Sequence, residues 1–292
     1  MEKKFLITIN NVENLTAVEF FCSFFGSDAK HHVTLLHICR PESSNMSARL
    51  MEMWENPADP ERGRPSVEAR KAIERSLQLL ESNQIPIDQV ITKTMGERFG
   101  IVHDILREGA AGLYDAIVLG KRASYALQWL VERKGDEIAQ SIIKDSKLET
   151  PIWVCPRPER DRCNVLIGVD GSENSMRAVD HVGFIVSPHD RHNITLVHVR
   201  TGAGSSSHDI FHQAEGILRG HDIADRRIET VSTWGVSVAG TIEGILKRHR
   251  HAAVAVGLHG SQGGFLKDVK LAGRTTSALI SRLEDASIWC CP

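Results

Sequence analysis

No run of about 20 consecutive apolar residues, the length a membrane-spanning helix needs, occurs in these 292 residues. A bilayer-spanning role is therefore not expected. The opening segment MEKKFLITIN is apolar too briefly, and turns polar too soon, for a secretory signal, so the expected location is the cytoplasm. An excess of one charge is also missing. Lys and Arg number 35 against 37 Asp and Glu, for a net charge of -2, which excludes the strongly basic profile of a nucleic-acid binder. The cysteines Cys22, Cys39, Cys155, Cys163, Cys290 and Cys291 have no paired CxxC spacing, which argues against a zinc site and for reduced, structural thiols, the vicinal Cys290-Cys291 included. There is no GxxxxGK loop followed by Ser or Thr, no GxGxxG after the first strand and no GxSxG elbow. No paired-carboxylate or Cys/His arrangement marks a catalytic centre either.

What the chain does contain is a repeat. FLITIN at 5–10 matches VLIGVD at 165–170, and VTLLHI at 33–38 matches ITLVHV at 194–199, with His37 and His198 in the same place. AIVLGKRA from Ala116 matches VAVGLHG from Val254, and PIWVCP at 151–156 matches SIWCCP at 287–292. Four landmarks in the same order mean one unit written twice. At about 150 residues per domain the length fits two domains, 1–158 and 159–292, joined by the charged linker RPERDR at 157–162, and two compact cores are expected.

Helical periodicity fills the gaps. The first half carries LTAVEFFCSFF from Leu15, VEARKAIERSLQLLES from Val67, FGIVHDILREGA from Phe99 and DEIAQSIIKDS from Asp136. The second repeats this with SMRAVDHVGFIV, HDIFHQAEGILRG, VAGTIEGILKRH and TTSALISRLE. Alternating strands and helices predict two tandem, doubly wound α/β units with parallel sheets covered on both faces. The stretch from Pro41 to Pro65, with four prolines and MSARLMEMWE, occurs only in the first half. It reads as a surface loop with one helical turn, or as a lid or partner surface.

In such sheets ligands sit beyond the carboxyl ends of the strands, so the strand-to-helix turns hold the candidate residues. Asp170-Gly171-Ser172 follows the first strand of the second half. Its carboxylate suits ribose hydroxyls or a base amine, or serves as a helix N-cap. The segment from Val256 to Thr276 carries Gly257, Gly260, Gly263, Gly264 and Gly273 and leads into a helix at Arg274-Thr275-Thr276. Glycines admit close approach of backbone N–H groups to phosphate oxygens, and the helix start adds free donors, the positive dipole end, a guanidinium and two hydroxyls.

A strand ending in Asp-Gly-Ser, a second strand running into His-Val, a VGxxG turn, a glycine at the last helix and a terminal PxWV-like strand together resemble the universal stress protein family in its tandem form. The resemblance covers essentially the whole chain. It implies an adenine-nucleotide alpha-hydrolase-like fold with five parallel strands per copy in the order 3-2-1-4-5. It implies, for many members, binding of ATP with Mg2+ through Gly-x2-Gly-x9-Gly followed by Ser or Thr; other members lack the motif and bind no nucleotide. Carried over, Asp170 and Gly171 match the acidic turn near adenosine, Val199 the residue whose backbone faces the base, and Gly257, His259 and Gly260 the start of the glycine motif. Gly273, Arg274 and Thr275 match its end. The departures are twelve residues instead of nine between Gly260 and Gly273, and Arg274 where a hydroxyl is usual. A shifted reading, Gly260-x2-Gly263-x9-Gly273, restores the spacing but leaves the strand-end register.

The first half departs further, with Asn10-Asn11 for Asp-Gly, Ala123 for the second glycine and Asp136 after Gly135. A carboxylate at a helix start repels phosphate, so this half is expected to have lost triphosphate binding. His208 and His212, at i and i+4, lack a third metal ligand and read as a solvated helix face. KRHRHAA at 247–253 suits a helix C-terminus, and His37 and His198 read as packed or hydrogen-bonded.

The reading is a stress-response regulatory protein that binds an adenine nucleotide in its second domain and acts through protein partners not yet known. It is expected to form a homodimer or larger homo-oligomer, and IWVC and IWCC are the expected seam, one pairing against the other to cover their sheet edges. The rivals are a slow ATP-hydrolysing or nucleotidyl-transferring enzyme, and an interaction module with no nucleotide.

Overall fold

The computed structural model describes residues 2–10, 12, 14–28, 31–39, 64–120, 150–159, 161–187, 189–201, 206–258 and 274–292. The first copy contains β1 (Lys4–Thr8), α1 (Thr16–Phe25), β2 (His32–Cys39), α2 (Val67–Ser82), β3 (Val90–Gly96), α3 (Ile101–Ala111), β4 (Ala116–Gly120) and β5 (Ile152–Cys155). The second contains β6 (Val165–Gly168), α4 (Glu173–Val186), β7 (Ile194–Arg200), α5 (Ser207–Gly220), β8 (Ile228–Trp234), α6 (Val238–His249), β9 (Ala253–Gly257), α7 (Arg274–Arg282) and β10 (Ser287–Cys291). The expected helix from Asp136 and nearly all of the 41–65 stretch lie outside the described residues.

Serines start several helices where the sequence places them. Ser66 accepts from the amide of Ala69, Ser172 from that of Ser175 and Ser237 from that of Gly240, each satisfying an N–H that has no partner within its own helix. Helix α6 stops at Arg250, whose φ of 53° leaves the helical region.

The strands run β3-β2-β1-β4-β5-β10-β9-β6-β7-β8. Each copy thus shows the expected 3-2-1-4-5 order in parallel strands. The expected seam is formed within one chain: β5 and β10 pair antiparallel, with Trp153 opposite Trp289. Pairing these two strands removes an edge from each copy that would otherwise invite association.

Alternation along the strands divides the apolar residues between two faces. Phe5 and Ile7 of β1, Val165 and Ile167 of β6, the phenylalanines of α1 and the inner side of α4 join one core that spans both copies. At its centre the Trp153 and Trp289 rings stack with centroids 3.8 Å apart and planes within 1°. On the other face Leu6, Ile105, Ile117 and neighbours form a core within the first copy, while Leu166, Ile242, Val254 and Leu279 form one within the second. The expectation of two compact cores is therefore corrected. Continuous pairing through the seam merges them on one face and leaves them separate on the other.

Candidate functional site

Beyond β6 the chain turns sharply through Gly171, whose φ of 82° suits glycine. Asp170 does not cap α4 itself. Its Oδ1 accepts from the amide of Ser172 at 3.0 Å and from the Ser172 hydroxyl at 2.6 Å. Ser172 in turn accepts from the amide of Ser175 at 3.2 Å, so Ser172 is the cap and Asp170 orients it. The carboxylate is half-buried at the rim of the sheet.

Strand β9 runs beside β6, with Ile167 opposite Ala255. Strand β6 ends at Gly168 and β9 at Gly257, which sets the Asp170 turn next to the end of β9. A Cβ on Gly257 would lie 2.7 Å from the carbonyl carbon of Asn174, so glycine here permits α4 to start against the strand end. Helix α7 returns to the same point: the Thr276 hydroxyl donates to the Gly257 carbonyl at 3.0 Å. The segment between them therefore leaves from, and comes back to, the carboxyl end of β9.

At the end of β7, Val199 is half-buried and packs toward the outer-face core of the second copy. His198, pointing to the other face, is half-buried. Its Nδ1 shares a 2.9 Å hydrogen bond with the Ser207 hydroxyl, which meets the Ser232 hydroxyl at 3.0 Å. Burial holds the His198 ring below its ordinary pKa, with Asp170 acting in the opposite direction and Arg200 adding to the lowering. The Arg200 guanidinium lies 4.9 Å over the ring of Trp234, which is 62% exposed.

Of the residues proposed from sequence, Asp170, Gly171, Val199 and Gly257 thus lie on the rim formed by the carboxyl ends of β6, β7 and β9. Arg274 and Thr275 open helix α7, where Thr275 is half-buried. His259, Gly260 and Gly273 lie outside the described residues, as do Ala123, Gly135 and Asp136. Sequence reasoning missed Ser172 as the cap, although an Asp-x-Ser turn before a helix signals one, and Thr276 as the anchor of α7. It also missed the Arg200–Trp234 pair, for which only cross-strand register gives a signal. In the first copy Asn10 is exposed, and a Cβ on Gly120 would meet the Thr16 hydroxyl at 2.8 Å. His37 is half-buried and its Nδ1 hydrogen-bonds the Ile9 carbonyl at 2.9 Å.

The rings of His208 and His212 lie 6.4 Å apart. Among the described residues no group of three His, Cys, Asp or Glu is placed to hold a metal. None of the described helices is long and apolar enough to cross a membrane. All six cysteines are free thiols. Burial pushes Cys22 and Cys290 up to about 12 and Cys291 well above its ordinary value, so these thiols are inert.

No family model matches the sequence, and no curated protein matches it. Solved structures do. A universal stress protein from Archaeoglobus fulgidus aligns over 99% of this chain and 96% of its own, with 16% identity and a TM-score of 0.61. A functionally unknown protein from Pseudomonas aeruginosa aligns over 99% of this chain and 92% of its own, with 14% identity and a TM-score of 0.52. The architecture is that of the doubly wound α/β class with parallel strands inside each copy. Within that class the fold is the one seen in the universal stress proteins, here present twice in a single chain.

Proposed function

We propose that residues 1–158 and 159–292 are two domains and that the second binds an adenine nucleotide, making the protein a stress-response regulator rather than an enzyme. The observation that carries this reading is the closure at Gly257. The glycine-rich segment departs from β9 and is anchored back to the same carbonyl by Thr276, beside the half-buried Asp170. A helix start and a strand end beside a carboxylate on one rim support this reading, because a phosphate needs free backbone donors and a ribose or base amine needs an acceptor. ATP would be held by Asp170 and Gly171 at its adenosine end, by the backbone of Val199 at the base, and by Gly257, His259, Gly260, Gly273, Arg274 and Thr275 along the phosphates. With no metal-holding group among the described residues, Mg2+ would be carried by the phosphates. Bound nucleotide would bias the conformation that protein partners meet. The protein would act in the cytoplasm, and a homo-oligomer would assemble through surfaces other than β5 and β10, which are already paired.

The test is to denature the purified protein, identify any released nucleotide by mass, and measure the thermal shift on adding ATP and Mg2+. Adenine nucleotide in the extract, or a shift lost in Asp170→Ala, is the expected result. An empty extract and no shift overturn it. Steady phosphate release abolished by Asp170→Ala would favour the enzyme instead.

A further inference from the structure

Where the two copies share a core, four buried imidazoles collect. His181 of α4 accepts the indole N–H of Trp153, a residue of the first copy, at 3.0 Å. His192, just ahead of β7, donates from Nδ1 to the Cys163 carbonyl at 2.7 Å and stacks on Phe24 of the first copy at 4.3 Å. Its Nε2 is buried without a hydrogen-bond partner. His189 lies between His192 and His31, its ring centroid 6.0 and 5.5 Å from theirs. The arrangement is one-sided. Counted from Phe5 and Val165, which hold matching places, Phe21 stands in the first copy where His181 stands in the second. The N–H of Trp289, the mate of Trp153, is buried with no hydrogen-bond partner.

The other charged groups acting on the two contact-making rings are cations. Lys3, buried with its Nζ 3.9 Å over the Phe184 ring, acts on His181. Arg191 and Arg227 act on His192, and a proton on neighbouring His189 would act in the same direction. The carboxylates nearby serve those cations: Asp115 acts on Lys3 and Asp190 on Arg227. Burial first, and these cations second, hold His181 at about 3; burial likewise dominates at His192, also about 3. Both rings are neutral when folded, whereas an unfolded chain takes up these protons near pH 6.5, as about the ordinary histidine value requires. Their contribution is therefore whole above about pH 6.5 and is lost as the pH falls below it.

We propose that the two copies are joined by a proton-sensitive lock: acidification charges His181 and His192 and parts the contacts of α4 and the segment before β7 with Trp153 and Phe24, while each copy's outer-face core stays assembled. A charged His181 cannot accept from Trp153, and a charged His192 would bury a charge and an Nε2–H with no acceptor in a site already positive.

The test follows the full chain from about pH 7.5 to about pH 4.5, a range that spans histidine titration. Near-UV circular dichroism reads the stacked tryptophans, X-ray scattering the radius of gyration, and far-UV circular dichroism the helices and strands. The expected result is loss of the near-UV signal and an increase in radius at a higher pH than the far-UV change. In His181→Gln/His192→Gln, whose amides do not titrate, the near-UV midpoint moves down by about 0.5 pH unit or more. His251→Gln, which removes a buried histidine within the second copy, leaves the order of the two changes intact. If the double variant does not fold, NMR of histidine rings in the wild-type chain decides: buried imidazoles that protonate within the near-UV transition support the lock. Rings that charge above it without loss of the tryptophan signal overturn it. Coincident near-UV and far-UV loss, an unmoved midpoint, or an unchanged near-UV signal throughout also overturns it.

Discussion

Gly257→Ala tests whether the close approach of α4 to β9 is real. The added Cβ would sit 2.7 Å from the carbonyl carbon of Asn174 and 2.9 Å from its oxygen. Both are backbone atoms, so no side chain can swing away, and relief requires the start of α4 or the end of β9 to move by roughly half an ångström or more. Overpacking of this kind costs about 1–3 kcal/mol, and each kcal/mol lowers the midpoint by roughly 2–4 °C in a chain of this size. Gly244 provides the contrast. It lies inside α6 with nothing within 4 Å of its Cβ position, so Gly244→Ala removes a flexible residue from a helix at no steric cost. The expected gain is about 0.5–1 kcal/mol. Thermal unfolding by far-UV circular dichroism at neutral pH measures both. A Gly257→Ala midpoint equal to or above wild type would refute the packing argument, because generic loss of glycine predicts the Gly244 outcome at both positions.

Three further outcomes follow from buried polar groups. Arg227, 4% exposed, donates to the carbonyls of His192, Val186 and His189, so Arg227→Ala strands three acceptors and should cost about 3 kcal/mol or more in urea unfolding. A loss under about 1 kcal/mol would mean that water replaces the guanidinium. Ser237→Ala removes the N-cap of α6 and should cost about 1 kcal/mol, with Ser237→Asp retaining most of it; equal loss in both variants contradicts a capping role. His181 and His192 are held at about 3 and His251 at about 4, chiefly by burial, so all three are neutral in the folded chain. Each is depressed below the unfolded value, so stability falls as the pH drops below about 6.5, by roughly 2 kcal/mol per ring at pH 5. Denaturant midpoints that stay level between pH 7 and pH 5 would show these rings to be solvated.

The sequence made the copy structure readable because the central strands are apolar runs that recur with the same spacing. VEARKAIERSLQLLES and VAGTIEGILKRH coincide with α2 and α6 residue for residue. Strands β3 and β8 gave no comparable landmark, since both lie at sheet edges where alternate residues face water and no apolar run is needed. The merging of the inner-face cores was not legible either. It depends on Trp153 meeting Trp289, and a sequence shows that both strands carry tryptophan but not that they share a register. At the candidate site, Asp170 and Gly257 were found through strand order. The division of labour between Asp170, which orients, and Ser172, which caps, depends on hydroxyl geometry that Asp-Gly-Ser leaves open.

The antiparallel pairing of β5 with β10 has a directional consequence. All strands within a copy point one way, so the two copies point in opposite directions across the seam. The strand ends that carry Asp170 and Gly257 therefore open on one border of the sheet, and the matching ends of the first copy, at Asn10 and Gly120, open on the opposite border. The two rims thus face away from each other, with the stacked indoles of Trp153 and Trp289 between them.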